Sequence, residues 1–151
     1  MKMTSDPNAS RKAWLSLLAK SPTADVARYW ASLGLTPEHT VLRSPEVGGI
    51  MVRGRAGAVG AAFNLGEMTV TRASVKLSDG AVGHGYVQGR SKEHALQSAL
   101  VDALMQTDAS STVEAGLLAP LRAAMSARQT ARAAKAAATK VDFFTMVRGE
   151  D

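Results

Sequence analysis

Arg90, Lys92 and His94 cluster where the sequence predicts a helix to begin, and this spacing is the one best suited to holding an anion. A helix N-terminus offers unpaired backbone N–H groups and the positive end of the helix dipole. A phosphate is stabilised there, whereas cations without an anion are mildly disfavoured. Glu93 offsets part of the charge. Arg72 is a second candidate, since an arginine inside a strand of threonine and valine implies a buried ion pair, an intersubunit contact or a ligand.

The remaining chemistry-bearing residues do not assemble into a familiar centre. His39, His84 and His94 lack the H-E-x-x-H spacing that sets two imidazoles on one helix face for a metal. The chain has no cysteine and no G-x-S-x-G turn to present a nucleophile. Gly54, Gly57 and Gly60 are followed by no Gly-Lys-Ser/Thr, so they read as a loop between strands and not as a phosphate cradle. Asp79 is accounted for by a turn. The expectation is therefore no catalytic residue, no metal ligand, and an anion contact at Arg90, Lys92, His94 and Arg72.

The elements that position these residues can be read from the patterning. Trp14, Leu15, Leu17 and Leu18 predict a helix over Arg11 to Ala19. Ser21-Pro22 predicts an N-cap with proline at N1 for a second helix, whose stripe is Val26, Trp30 and Leu33 and whose stop is Gly34. From His39 to Gln88 short β-prone runs alternate with glycine. Thr40–Arg43 and Gly49–Arg53 read as a pair of strands, and Thr69–Ser78 with Ala81–Gly89 as a hairpin about Asp79-Gly80 in a type I′ turn. That turn pairs Leu77 with Val82, Val75 with His84 and Ala73 with Tyr86 on an apolar face. Arg72, Ser74 and Lys76 then share the other face with Gly83 and Gly85, where another element can approach closely. Ser91 caps a helix carrying Ala95, Leu96, Ala99, Leu100, Ala103 and Leu104. A last alanine-rich helix is interrupted or started by Pro120 and runs to about Lys140. The class is α+β, in one domain over residues 1–151.

The net charge of +5 and pI near 9.9 favour anionic partners. Arg128, Arg132 and Lys135 share one face of the last helix, without interleaved aromatics to stack bases, so a solvated face is preferred and a basic nucleic-acid-binding module is the alternative. No apolar run approaches the ~20 residues a membrane helix needs, and with no leader pattern a soluble cytosolic protein is expected. The closing segment Val141–Asp151 holds two of the three phenylalanines, Phe143 and Phe144, with Met146, Val147 and Arg148. Burying each phenylalanine is worth roughly 1.5–3 kcal/mol. The segment should dock, either back onto its own sheet or as an interface to another chain.

Several blocks carry a family likeness. Phe63-Asn64-Leu65-Gly66-Glu67, the strand Thr69-Val70-Thr71-Arg72-Ala73-Ser74-Val75-Lys76-Leu77 with its Ser78-Asp79-Gly80 turn, Gly89-Arg90 with Lys92 and His94, and Val141-Asp142-Phe143-Phe144-Thr145-Met146-Val147-Arg148-Gly149 resemble the PhnG family. That family is a subunit of the bacterial carbon-phosphorus lyase system. Gly57-Ala58-Val59-Gly60 departs from the family's Gly-Gly-Thr-Gly, so no threonine hydroxyl acts at that turn. The resemblance implies a cytoplasmic core complex with PhnH, PhnI and PhnJ subunits and a second copy of this chain. It implies an accessory role, with the H, I and L subunits, in transferring the ribose triphosphate part of ATP to an alkylphosphonate with loss of adenine. The complex would use MgATP, with no cofactor held by this subunit itself, and neither membrane nor nucleic acid is expected as a partner.

Overall fold

The computed structural model describes residues 8–57 and 59–141. Two helices lead: α1 (Ala9–Lys20) and α2 (Thr23–Leu33). The hydroxyl of Ser21 donates to the carbonyl of Leu17 at 2.7 Å, so it closes α1 instead of capping α2, which begins with Pro22 at its N-cap. Gly34 ends α2 at φ +62°, as its position predicts.

An antiparallel sheet follows in the order β1 (His39–Arg55), β2 (Ala62–Leu77), β3 (Val82–Gln88). Thr40–Arg43 and Gly49–Arg53 do not pair with each other. They are two parts of one strand, β1, and both pair with β2. No reversal occurs at Ser44-Pro45; register irregularities between Val41 and Arg43 and between Arg43 and Glu46 keep the chain extended there.

The second hairpin differs from its expected register by one residue. Ser74 pairs with His84, Ala73 with Gly85 and Arg72 with Tyr86. A type I′ turn needs positive φ at both Asp79 and Gly80, and only Gly80 has it, at +96°. The amide of Gly80 donates to the carbonyl of Leu77 and the amide of Leu77 donates to the carbonyl of Ala81. Ser78-Asp79-Gly80 thus forms a three-residue loop ending in a glycine bulge.

This shift places Ala73, Val75 and Leu77 on one face with Gly83, Gly85 and Val87, and α3 (Lys92–Leu104) lies on it. A Cβ on Gly83 would meet the carbonyl of Ala99 and the amide of Ala103, and one on Gly85 the carbonyl of Ala95. Close approach at these glycines occurs as expected, but on the apolar face. Arg72, Ser74, Lys76, Tyr86 and His84 occupy the outer face.

The core joins this sheet face to α3, α1 and α2 and to the start of the last helical region. That region begins earlier than expected, with α4 (Ser110–Val113), a π turn over Glu114–Leu118 and α5 (Ala119–Ala138). The π turn ends one residue before the peptide unit of Pro120, whose missing N–H would break a regular ladder. Within α5 only Leu121 is buried. β3 pairs with β2 no further out than Val70, so Gly49–Arg55 and Ala62–Thr69 extend as a two-stranded arm.

Candidate functional site

Asp102 organises the body of the protein. It interrupts the apolar stripe of α3, and its side chain is fully buried. Arg11 donates to it through Nε at 3.1 Å and Nη2 at 2.7 Å, Trp14 through Nε1 at 2.9 Å, and the backbone N–H of His84 at 2.9 Å. The carboxylate therefore ties α1 and β3 to α3, and in return it raises the pKa of the Arg11 guanidinium, chiefly through their hydrogen bond. Gln106 Nε2 donates to the carbonyl of Val82 at 2.8 Å, so the outer edge of β3 is bonded by side chains. Patterning did not reveal this hub; its one signal was an acidic residue inside an apolar helical stripe.

His94 follows Ser91, whose hydroxyl accepts the His94 backbone N–H at 3.1 Å, as the cap predicts. Its ring is 1% exposed and turns inward. Nε2 lies 2.9 Å from the carbonyl of Leu18, and Nδ1 lies 3.3 Å from the Thr23 hydroxyl. The carbonyl can only accept, so Nε2 carries the proton and the hydroxyl donates to Nδ1. Burial holds the His94 pKa below its ordinary value, with the Leu18 hydrogen bond opposing. A neutral, enclosed imidazole joins α3 to α1 and α2. This corrects its expected place beside Arg90 and Lys92, because both ring nitrogens are committed inside.

Arg90 and Lys92 themselves are exposed. Arg90 lines a shallow cleft of about 310 Å³ at the base of the arm, with Val47, Gly48, Gly49, Glu67 and Thr69. Arg72 donates through Nε to Glu46 Oε1 at 2.6 Å, and Arg43 reaches the same oxygen at 2.7 Å. The pair is exposed, where a buried one was expected, because Gly83 and Gly85, with α3 packed on them, lie on the opposite face and leave that of Arg72 open. Arg72 first, then Arg43, holds the Glu46 carboxyl below its usual pKa.

His84 sits on the outer face with Nδ1 2.9 Å from the Ser74 hydroxyl, not against Val75 on the apolar side. His39 Nδ1 is 2.9 Å from the carbonyl of Pro37. Among the described residues no three His, Asp or Glu side chains gather closely enough to hold a metal ion. Arg128, Arg132 and Lys135 line one groove on α5, as their spacing predicts, and Arg128 also pairs with Asp25 at 2.9 Å. No helix among the described residues is long and apolar enough to cross a membrane. Phe143, Phe144, Met146, Val147 and Arg148 lie outside the described residues.

A helix-backed antiparallel sheet with a projecting arm, its titratable groups engaged in joining elements, makes this a small α+β protein. Comparison with known proteins makes this specific. Residues 9–149 match the family described as Phosphonate metabolism protein PhnG, and the chain belongs to that family. A relative from Rhizobium meliloti (strain 1021), alpha-D-ribose 1-methylphosphonate 5-triphosphate synthase subunit PhnG, is 43% identical over 143 residues, which cover 95% of this chain and 92% of the relative.

Proposed function

We propose that this chain is an accessory subunit of an alpha-D-ribose 1-methylphosphonate 5-triphosphate synthase working in phosphonate metabolism. The observation that carries this reading is the 43% identity to a subunit of that name, running through 95% of the chain. In the proposed reaction a phosphonate oxygen displaces adenine from C1 of the ribose of ATP, forming a C1–O bond as the C1–N9 bond breaks. The ribose carries its triphosphate through unchanged. The chemistry is assigned to a partner subunit of the PhnI type, with PhnH and an L subunit required beside it, and PhnJ and a second copy of this chain complete the cytoplasmic assembly. MgATP is the substrate of the complex. Within it, Arg90 and Lys92 are suited to contacting polyphosphate or phosphonate oxygens, since both sit at the N-terminus of α3 and are exposed. The segment after Lys140 is suited to anchoring a partner through Phe143, Phe144, Met146, Val147 and Arg148.

Co-expression with H, I and J subunits, followed by size-exclusion chromatography and native mass spectrometry, tests this reading. The full chain is expected to co-purify, and adding it to the H, I and L subunits is expected to switch on adenine release from ATP and methylphosphonate. A full-length chain that elutes alone, with adenine release indifferent to it, would overturn the assignment.

A further inference from the structure

β1 is an edge strand, and its open edge is blunted over only part of its length. Pro45 and two register irregularities interrupt the inner part, between Val41 and Glu46. Val47–Arg55 has no proline, and the irregularity beside it lodges the extra residue, Leu65, in β2, so β1 stays regular there. The direction of its backbone groups follows from β2. The amide of Gly89 donates to the carbonyl of Thr69 and the amide of Leu77 to the carbonyl of Ala81, so the odd residues of β2 bond toward β3 and the even ones toward β1. Gly48, Ile50 and Val52, paired with Val70, Met68 and Gly66, therefore bond to β2. The N–H and C=O groups of Val47, Gly49, Met51, Arg53 and Arg55 are left directed at the open edge.

These odd residues share the α3 side of the sheet, since Val47 pairs with Thr71 and Gly49 with Thr69, which alternate with the buried Ala73. Glu67 lies on the same face and leans across Gly49, where a Cβ would meet its Oε1. It reaches in this way toward the open edge and away from Arg53 of its own chain. Neither Glu67 nor Arg53 has an ion pair among the described residues. The edge thus presents a carboxylate at Gly49 and a guanidinium at Arg53, placed symmetrically about Met51. A strand with that pattern is complementary to itself when run antiparallel.

One register satisfies the edge. Centred on Met51, it pairs the whole run Val47–Arg55 and sets Arg53 of the second copy opposite Gly49, beside Glu67, and the two-fold axis repeats that ion pair. On the other face Ile50 stands opposite Val52 of the second copy, a β-branched cross-strand pair. Moving the centre to Ile50 carries the pairing into Pro45, and moving it to Val52 carries it into the turn at Gly57. Arg55 of the second copy falls opposite Val47, at the rim of the Arg90 cleft, and adds positive charge to it.

We infer that the open edge of β1 is a self-association site, at which Val47–Arg55 pairs antiparallel with the same segment of a second copy about Met51 and Arg53 of each copy meets Glu67 of the other. The inference rests on the subunit reading above for the setting in which two copies meet. The contact itself uses only this chain, and it joins the two sheets into one.

The chain has no cysteine, so Met51→Cys introduces a single thiol on the two-fold axis. In this pairing it faces its own copy within the Cα separation that a disulfide spans. Val47→Cys, on the same edge, stands about 25 Å from its copy and serves as the control. Each variant is co-expressed with the H, I and J subunits and also purified alone, oxidised mildly, and read on non-reducing gels. Met51→Cys is expected to give a homodimer band and Val47→Cys none. Adding Arg53→Glu to Met51→Cys turns two attractions into two repulsions and is expected to slow cross-linking about tenfold, and Glu67→Arg added to both is expected to restore it. Equal cross-linking of the two thiols, no band from either, a Met51→Cys bond only to a different subunit, or no rescue by the charge exchange would each overturn the inference. If the chain co-purifies with the other subunits and yet gives no homodimer band, only this inference falls. A homodimer band from a chain that elutes without them would leave it standing and remove the subunit reading.

Discussion

Replacing Asp102 with alanine should unfold this protein at a temperature roughly 10 °C lower. The substitution leaves three donor groups without their acceptor: the Arg11 guanidinium, the Trp14 indole N–H and the His84 backbone N–H. The Arg11 side chain is 33% exposed and regains water, so its share is that of a surface pair, about 1 kcal/mol or less. The His84 amide and Trp14 indole are less able to recover, and an unsatisfied buried donor costs roughly 1–3 kcal/mol. The sum is about 3–4 kcal/mol, within the range for breaking one side of a buried ion pair. For a domain of this size each kcal/mol moves the midpoint by about 2–4 °C. Thermal unfolding of Asp102→Ala, Arg11→Ala and the double variant by circular dichroism would measure the cost. The double variant should be less destabilised than the two single costs added together, by about 1 kcal/mol, since both remove the same pair. A midpoint for Asp102→Ala within about 3 °C of wild type, or strict additivity, would refute the hub.

Gly85→Ala should cost about 3 kcal/mol in urea unfolding, since its Cβ would press on the Ala95 carbonyl and α3 would have to lift from the sheet; Gly80→Ala, strained only by its φ of +96°, should cost less. His94 has a folded pKa below its ordinary value of 6.5. The unfolded chain therefore binds a proton that the native state refuses, and stability falls as pH drops below about 6.5, by at most about 1.4 kcal/mol per unit, until the folded pKa is passed. His94→Gln should flatten that slope below about pH 6.5 in denaturant titrations, and an unchanged slope would assign it elsewhere. Arg90→Ala and Lys92→Ala should each reduce adenine release by the assembled synthase without altering its elution volume; unchanged kinetics in both would remove the anion contact. Ending the chain at Lys140 should loosen co-purification with the other subunits, and full retention would remove the segment as an anchor.

Local chemistry determined much of this protein from the sequence alone. The helices around Leu17 and Val26, the stop at Gly34, the cap at Ser91 and the shared face of Arg128, Arg132 and Lys135 depend on residues within a few positions of one another, where periodicity and capping act. The closing and strand blocks likewise carried the family likeness that the comparisons bear out. Tertiary structure decided what depends on distant partners. Asp79-Gly80 is compatible with two hairpin loops, and the observed one brings Gly83 and Gly85 beneath Ala95, Ala99 and Ala103, where α3 can lie against bare backbone. Because strand side chains alternate, that single residue of register moved His84 and Tyr86 to the outer face, beside Ser74 and Arg72. His94 and Asp102 changed meaning for a similar reason: their neighbours in space are Leu18, Thr23, Arg11 and Trp14, more than seventy positions away in the chain, and only packing brings them together.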